Sequence, residues 1–421
     1  MMVFTSVYGV VDGLFVSNFV GKIPFAAINL VMPFIMILGG VGFMIAAGGS
    51  ALVSQTLGEG DRDRAERYFT MMVQLTVVCG LVLGGLGILF MPQISRLLGA
   101  TDLMLSDCVL YGRTVLAFNV AFMLQNVFQV FFVTAERPKL GLYATLAAGF
   151  TNMGLDALFV AVFRWGVAGA AVATGISQCI GGILPLFYFL SSKNGSLLRL
   201  RRTCPEGRVL LRACTNGSSE LMSNISSSVV SMVYNFQLLA YAGENGVAAY
   251  GVLMYIQFIF VAIFIGYTIG ASPVVGYHYG AENQDELKNI FHKSIRLMIV
   301  FGLLMTAAAE LLSRPLAHLF VGYDRELFDM TVHAFRIFSF AFLLCGINIF
   351  ASSFFTALGN GAVSAAISFL RTLVFQMLTV LLLPLILGLD GVWWSVAVAE
   401  VIAFGISLFF LLRKRHVYHY V

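Results

Sequence analysis

The sequence predicts an all-α membrane protein: twelve transmembrane helices in two six-helix bundles, related by a pseudo-two-fold axis along the membrane normal. Three observations carry that prediction. The composition is 59% hydrophobic and only 11% charged, whereas soluble domains carry about 25% charged residues. Uncharged runs of about 18 or more residues recur along the chain, each long enough to span a bilayer as a helix. Finally, the second half repeats the first at an offset of about 222 residues, as in Asn126 against Asn348.

Cutting at charge clusters and at Gly and Pro punctuation places the first six spans at 1–20, 25–57, 68–95, 107–134, 138–163 and 166–191. After a basic connection come 213–242, 246–279, 288–312, 329–357, 361–388 and 391–412. The predicted organisation is an N-terminal six-helix lobe over 1–192, a cytoplasmic linker over 193–212 and a C-terminal six-helix lobe over 213–421. The repeat supports the cut. "GGSALVSQTLGEGDRDRAERYF" aligns with "GASPVVGYHYGAENQDELKNIF", "NVFQVFFVTA" with "NIFASSFFTA", and "WGVAG" near residue 166 echoes "DGVWW" near 391. Six spans per copy is an even number, so both copies share one orientation. That is the parallel-repeat plan of some secondary transporters, whose sites lie near the repeat interface.

Charge orients the chain. Seventeen of the 25 Lys and Arg fall in the loops at 58–67, 135–140, 193–212 and 280–296 and in the C-terminal "RKR". Only Lys22, Arg96, Arg164, Arg314 and Arg325 fall on the other side, while Arg113, Arg336 and Arg371 lie within spans. The positive-inside rule then makes both termini cytoplasmic, with the cell membrane as the expected location. Trp165, Trp393 and Trp394 all fall at the opposite face, as an interfacial belt would place them.

Several function classes are excluded. No basic stretch interleaved with aromatics suggests nucleic acid. The six cysteines form no CxxC pair and predict no disulfide framework. The histidines include no HExxH and predict no metal site. An enzyme would show a nucleophile–base set or paired metal ligands, and the sequence has neither. The expected partners are the lipid bilayer and a small amphipathic or cationic substrate, with the chain monomeric.

The informative residues are the polar ones inside spans. At about 1.5 Å per residue, Asp12 lies about 13 Å below the outer surface, and Asp156 and Thr174 about 12 Å below it. Asn152 is one turn deeper than Asp156, on the same helix face. Intramembrane carboxylates are costly and usually functional. Two of them brought together in apolar surroundings share one proton or ionise around one Na⁺, titrating as a coupled unit. The quartet Asp12, Asn152, Asp156 and Thr174 is therefore the candidate cation site, with Na⁺ or H⁺ as coupling ion and no other cofactor. Its repeat positions are Tyr234, Val374, Leu378 or Leu381, and Ala399. Polar residues that merely glued helices together would recur in both copies.

Span seven carries a second polar stripe: Asn216, Glu220, Asn224 and Ser228 at four-residue steps, then Ser231 and Asn235. Such a face cannot point at lipid, so it packs inward or lines an aqueous cavity. Glu220, about 12 Å from the cytoplasmic end, is placed to meet a cationic substrate. Asn224, Asn235, Gln125, Gln129 and Tyr255 complete the candidate substrate cavity. Arg371 and Glu400 are the remaining buried charges, and residue counting puts them at different depths, so they are not expected to pair.

"VDGLFVSNFVG" in span one, the N-x-x-x-D of span five with Thr174 in span six, "ERPKLG", and "FLR…LP…GLDGVW…AE" together resemble the multidrug and toxic compound extrusion (MATE) family. The similarity covers essentially the whole chain and is greatest to the bacterial branch with its cation residues in the N-terminal lobe. The resemblance implies two six-helix lobes and export of organic cations or amphipathic compounds by Na⁺ or H⁺ antiport. By motif match it also implies Asp12, Asn152, Asp156 and Thr174 as the cation residues. Two departures stand out. The family carries a proline ahead of the aspartate in a longer first helix, whereas none precedes Asp12 here, which leads to the expectation of an internal start or a truncation. Ser17 stands where a glycine is common. A lipid-linked-precursor flippase shares the plan, but would carry more buried Arg and Lys for a pyrophosphate.

Overall fold

The computed structural model describes residues 1–7, 19–20, 22–191, 195–322 and 324–420, and among these every regular element is helical. In order they are α1 (Lys22–Gly58), α2 (Arg62–Leu97), α3 (Asp102–Ala117), α4 (Asn119–Thr134), α5 (Pro138–Asp156) with a π-helical turn at Ala157–Val162, and α6 (Gly166–Leu190). Then come α7 (Gly207–Gly280), α8 (Gln284–Val321), α9 (Arg325–Ser339), α10 (Phe342–Ala357) and α11 (Gly361–Phe369). A second π turn at Leu370–Phe375 leads to α12 (Gln376–Leu382), α13 (Pro384–Leu387) and α14 (Leu389–Tyr418). Among the described residues, eight helices are long and apolar enough to cross a membrane, or ten if each of two bent pairs is one span. Those pairs are α3 with α4, bent by 55°, and α9 with α10, bent by 49°.

The 74-residue run of α7 is interrupted at Gly243, whose φ of 61° and ψ of −151° are not helical. Only glycine takes that conformation without a steric cost, and it sits in the "AGENG" punctuation that separates the predicted spans seven and eight. The chain divides into two compact units, Met1–Leu221 and Met222–Val421.

In the first unit, Ile28, Val31 and Ile35 of α1 pack with Met91 of α2, Tyr111 and Val115 of α3, and Val167 and Ala170 of α6. Phe69, Phe128, Phe131 and Phe189 fill the other end, with ring centroids 4.9 to 6.4 Å apart. Polar groups tie the helices across this apolar packing, as they must where water is absent. Asn119 donates to the Gly80 carbonyl at 3.1 Å, and the Ser50 and Thr134 hydroxyls bond at 2.8 Å. Residues 195–206 lie along the edge of this unit. Arg201 bonds Glu66, which is 1% exposed, at 2.5 Å and Asp63 at 2.7 Å, while its backbone N–H donates to Thr70. Arg62 and Arg137 donate to the carbonyls of Ser196 and Gly195.

α1 and α7 touch backbone to backbone at Gly48 and Gly217. A Cβ on Gly48 would overlap the Ala213 carbonyl, and one on Gly217 the Met44 carbonyl. Neither obstacle is a side chain that can swing away. Gly217→Val is therefore expected to force the helices apart, at the cost of about 1–3 kcal/mol typical of overpacking. A lowered melting temperature of the purified protein in detergent checks this.

The second unit is built around Phe335, Phe338, Phe342, Phe350 and Phe354, with Trp393 and Tyr420. Trp393 corrects the expectation of an interfacial belt, because it is 1% exposed and belongs to this core. Successive helical residues point about 100° apart, so Trp394 instead stacks on Phe340, with centroids 5.6 Å apart. Trp165, 53% exposed, keeps the outward position.

Candidate functional site

The buried face of α5 is Gly141, Thr145, Ala148, Gly149, Asn152 and Asp156. That spacing is a single helical stripe, and its first four residues are small. Small residues let backbones approach closely in membrane proteins, and α5 packs along α6, whose own buried face is rich in Gly and Ala. The stripe then changes character. Asn152 is 2% exposed and Asp156 is fully buried. Asp156 ends the regular α-helix, and the π turn Ala157–Val162 begins at the next residue; such turns recur at functional positions.

The amide oxygen of Asn152 is buried and has no hydrogen-bond partner among the described residues. Buried polar atoms are nearly always satisfied, so this oxygen is available to a ligand. Thr174 is half-buried on α6, and its backbone carbonyl accepts from Ser177 at 2.7 Å. Three of the four candidate cation residues thus lie on two helices that pack against each other. The fourth, Asp12, lies outside the described residues.

The candidate substrate residues fall in several places. Gln125 and Gln129 on α4 line a cleft within the first unit together with Phe132, Gly141, Thr145 and Gly181. On α7, Asn216 is buried, and Glu220 and Asn224 are half-buried one and two turns on. Asn235 is exposed. Tyr255 is 42% exposed and lies parallel to Phe320, with ring centroids 6.3 Å apart.

Arg371 and Glu400 correct the sequence reading, which kept them apart. The guanidinium donates to Glu400 Oε1 at 2.8 and 2.9 Å and to Oε2 at 3.0 Å. Depth counting assumed regular α-helices and compared backbone positions. Arg371 instead lies in the π turn at Leu370–Phe375, and its long side chain carries the charge well away from its own Cα. Asn348 of α10 donates to Glu400 Oε2 at 2.7 Å, and Arg371 also donates to Cys345 Sγ at 3.3 Å.

The MatE family profile matches residues 1–158 and 221–382, and the chain belongs to the MatE family. The multidrug export protein MepA of Staphylococcus saprophyticus is 23% identical over 414 residues, spanning 97% of this chain and 90% of that protein. MepA of Staphylococcus aureus is 22% identical over 411 residues, with the same coverage. The fold matches a crystal structure of MATE in complex with MaL6, with a TM-score of 0.94 at 22% identity over 100% of this chain and 94% of that one. It also matches the outward-facing conformation of a multidrug resistance MATE family transporter of the MOP superfamily, with a TM-score of 0.93 at 21% identity over 100% and 95% of the two chains.

Proposed function

We propose that this chain is a secondary active multidrug exporter of the plasma membrane. It expels amphipathic or cationic small molecules in exchange for Na⁺ or H⁺, and it acts by transport rather than by enzymatic chemistry. Two six-helix lobes, 1–192 and 213–421 about a cytoplasmic linker at 193–212, expose the substrate path to the two sides in turn. The twelve-helix count is supported by the α7 run: about 74 residues at 1.5 Å each far exceed one bilayer crossing of about 30 Å, and Gly243 divides it. The remaining count comes from the two bent pairs and from the first span, most of which lies outside the described residues. The charge distribution supports cytoplasmic termini, and a monomer suffices, since each copy of the repeat supplies one lobe.

The coupling cation binds at Asp12, Asn152, Asp156 and Thr174. The observation that carries this reading is the α5 stripe: a fully buried carboxylate one turn from a buried amide oxygen that has no partner among the described residues. From outside, the cation enters this site and lowers the affinity for substrate; its release inside restores that affinity. One charge crossing about 100 mV supplies about 2.3 kcal/mol, enough for roughly 50-fold accumulation at a factor of ten per 1.4 kcal/mol. Glu220 meets the positive charge of a substrate, while Asn224, Asn235, Gln125, Gln129 and Tyr255 contribute adaptable polar and aromatic contacts.

The flippase reading is not favoured. A pyrophosphate needs free buried cations, and the buried guanidinium of Arg371 is already committed to Glu400. Efflux of a cationic dye from proteoliposomes, under imposed Na⁺ and pH gradients in turn, tests the proposal. At least one gradient should drive dye movement that stops when that gradient collapses; efflux indifferent to both would overturn it.

A further inference from the structure

The Arg371–Glu400 pair occupies a telling place in the repeat. At the offset of about 222, Arg371 falls opposite Gly149, three residues before the position opposite Asn152. At the offset of about 225 that relates "WGVAG" to "DGVWW", Glu400 falls opposite Gly175, next to the position opposite Thr174. The pair therefore sits on the two segments of the second unit that correspond to α5 and α6, the helices of the candidate cation site. Each unit also has a π turn in this helix, at Ala157–Val162 in one and at Leu370–Phe375 in the other, though not at matching positions of the repeat.

The asparagine of the repeated "NVF" and "NIF" shows the same contrast. In the first unit Asn126 donates to the Gly39 carbonyl at 3.4 Å and so ties two helices. In the second, Asn348 donates to the Glu400 carbonyl at 3.0 Å and to its carboxylate at 2.7 Å. The Glu400 side chain is 3% exposed and that of Arg371 15%. Among the described residues, the charged or titratable groups against this carboxylate are Arg371 and, beyond it, Cys345.

We infer that the second unit holds a cation site filled permanently by its own guanidinium, so that the chain couples transport through one unit only. Both oxygens of Glu400 are taken by N–H donors, and no room is left for a proton or a Na⁺. The site would bind a monovalent cation if the guanidinium were removed. This inference rests on the proposed cation site of the first unit for its functional meaning, but not for its chemistry.

The test counts cations bound by the purified full-length chain. Proton uptake is read from pH changes in weak buffer, and Na⁺ uptake from isotope binding. Arg371→Gln is expected to bind one more H⁺ or Na⁺ per chain than the unaltered protein near neutral pH, and Arg371→Gln/Glu400→Gln is not. An Arg371→Gln protein with no added cation would overturn the inference. Adding Asp156→Asn separates the two ideas, because it should remove the cation of the first unit and leave the gained one. If the gain appears while Asp156→Asn changes nothing, the proposed coupling site fails and this inference stands. A second variant, Arg371→Met/Glu400→Met, removes both charges without stranding either. It should export with the ion-to-substrate ratio of the unaltered chain, and an altered ratio would equally overturn the inference.

Discussion

Asp156→Asn is expected to abolish gradient-driven efflux while leaving the protein folded. The substitution is nearly isosteric, so the buried packing of α5 against α6 is retained; only the charge proposed to attract the coupling ion is lost. The roughly 50-fold accumulation available from one charge moving through about 100 mV should then fall to the equilibrium value. The check is dye efflux from cells at matched expression, with the melting temperature of the purified variant measured alongside. Asn152→Ala should be milder, because one neutral oxygen is lost from the site while both carboxylates remain. Efflux in Asp156→Asn equal to that of the unaltered protein would remove the carboxylate from the coupling step.

The second large effect concerns stability. Removing one member of a buried ion pair strands the other, at a cost of about 3–5 kcal/mol, whereas replacing both with apolar groups of similar volume is often neutral or stabilising. Arg371→Met and Glu400→Met are each expected to lower stability by roughly that amount. Glu400→Met also leaves the Asn348 amide without its 2.7 Å acceptor. The double variant should recover most of the loss. Denaturant titrations of the four proteins, arranged as a double-mutant cycle, give the coupling directly; additive single losses would show that the two groups do not stabilise each other.

The helical class and most span limits were legible because lipid imposes a strong rule: a crossing segment must be apolar and long. The break at Gly243 was legible because glycine marks a backbone that leaves the helix. The bends at Phe118 and at 340–341 were not, since no glycine or proline occurs there and hydropathy runs straight through them. Near the first bend Asn119 bonds the Gly80 carbonyl at 3.1 Å, a tertiary contact with no local signature. The stripe of Asn152 and Asp156 was readable from four-residue spacing alone. The Arg371–Glu400 pair was missed because depth along an ideal helix ignores both a π turn and the reach of an arginine. The repeat held a usable signal, since it sets both residues on the helices that answer to α5 and α6. Glu66 escaped notice as a buried carboxylate because its sequence context, "GDRDRAERYF", reads as a solvated loop and first turn.

Convergence of Asp12 and Asp156 on one ion is tested most directly by metal bridging. With the six native cysteines replaced by serine or alanine, Asp12→Cys/Asp156→Cys would present two thiols where the carboxylates stood. Soft thiolates bind soft metals tightly, so calorimetric titration with Cd²⁺ should give one high-affinity ion per chain, with much weaker binding in either single-cysteine variant. Binding by the pair no tighter than by the single variants would mean that the two side chains do not meet, and the proposed coupling site would fall.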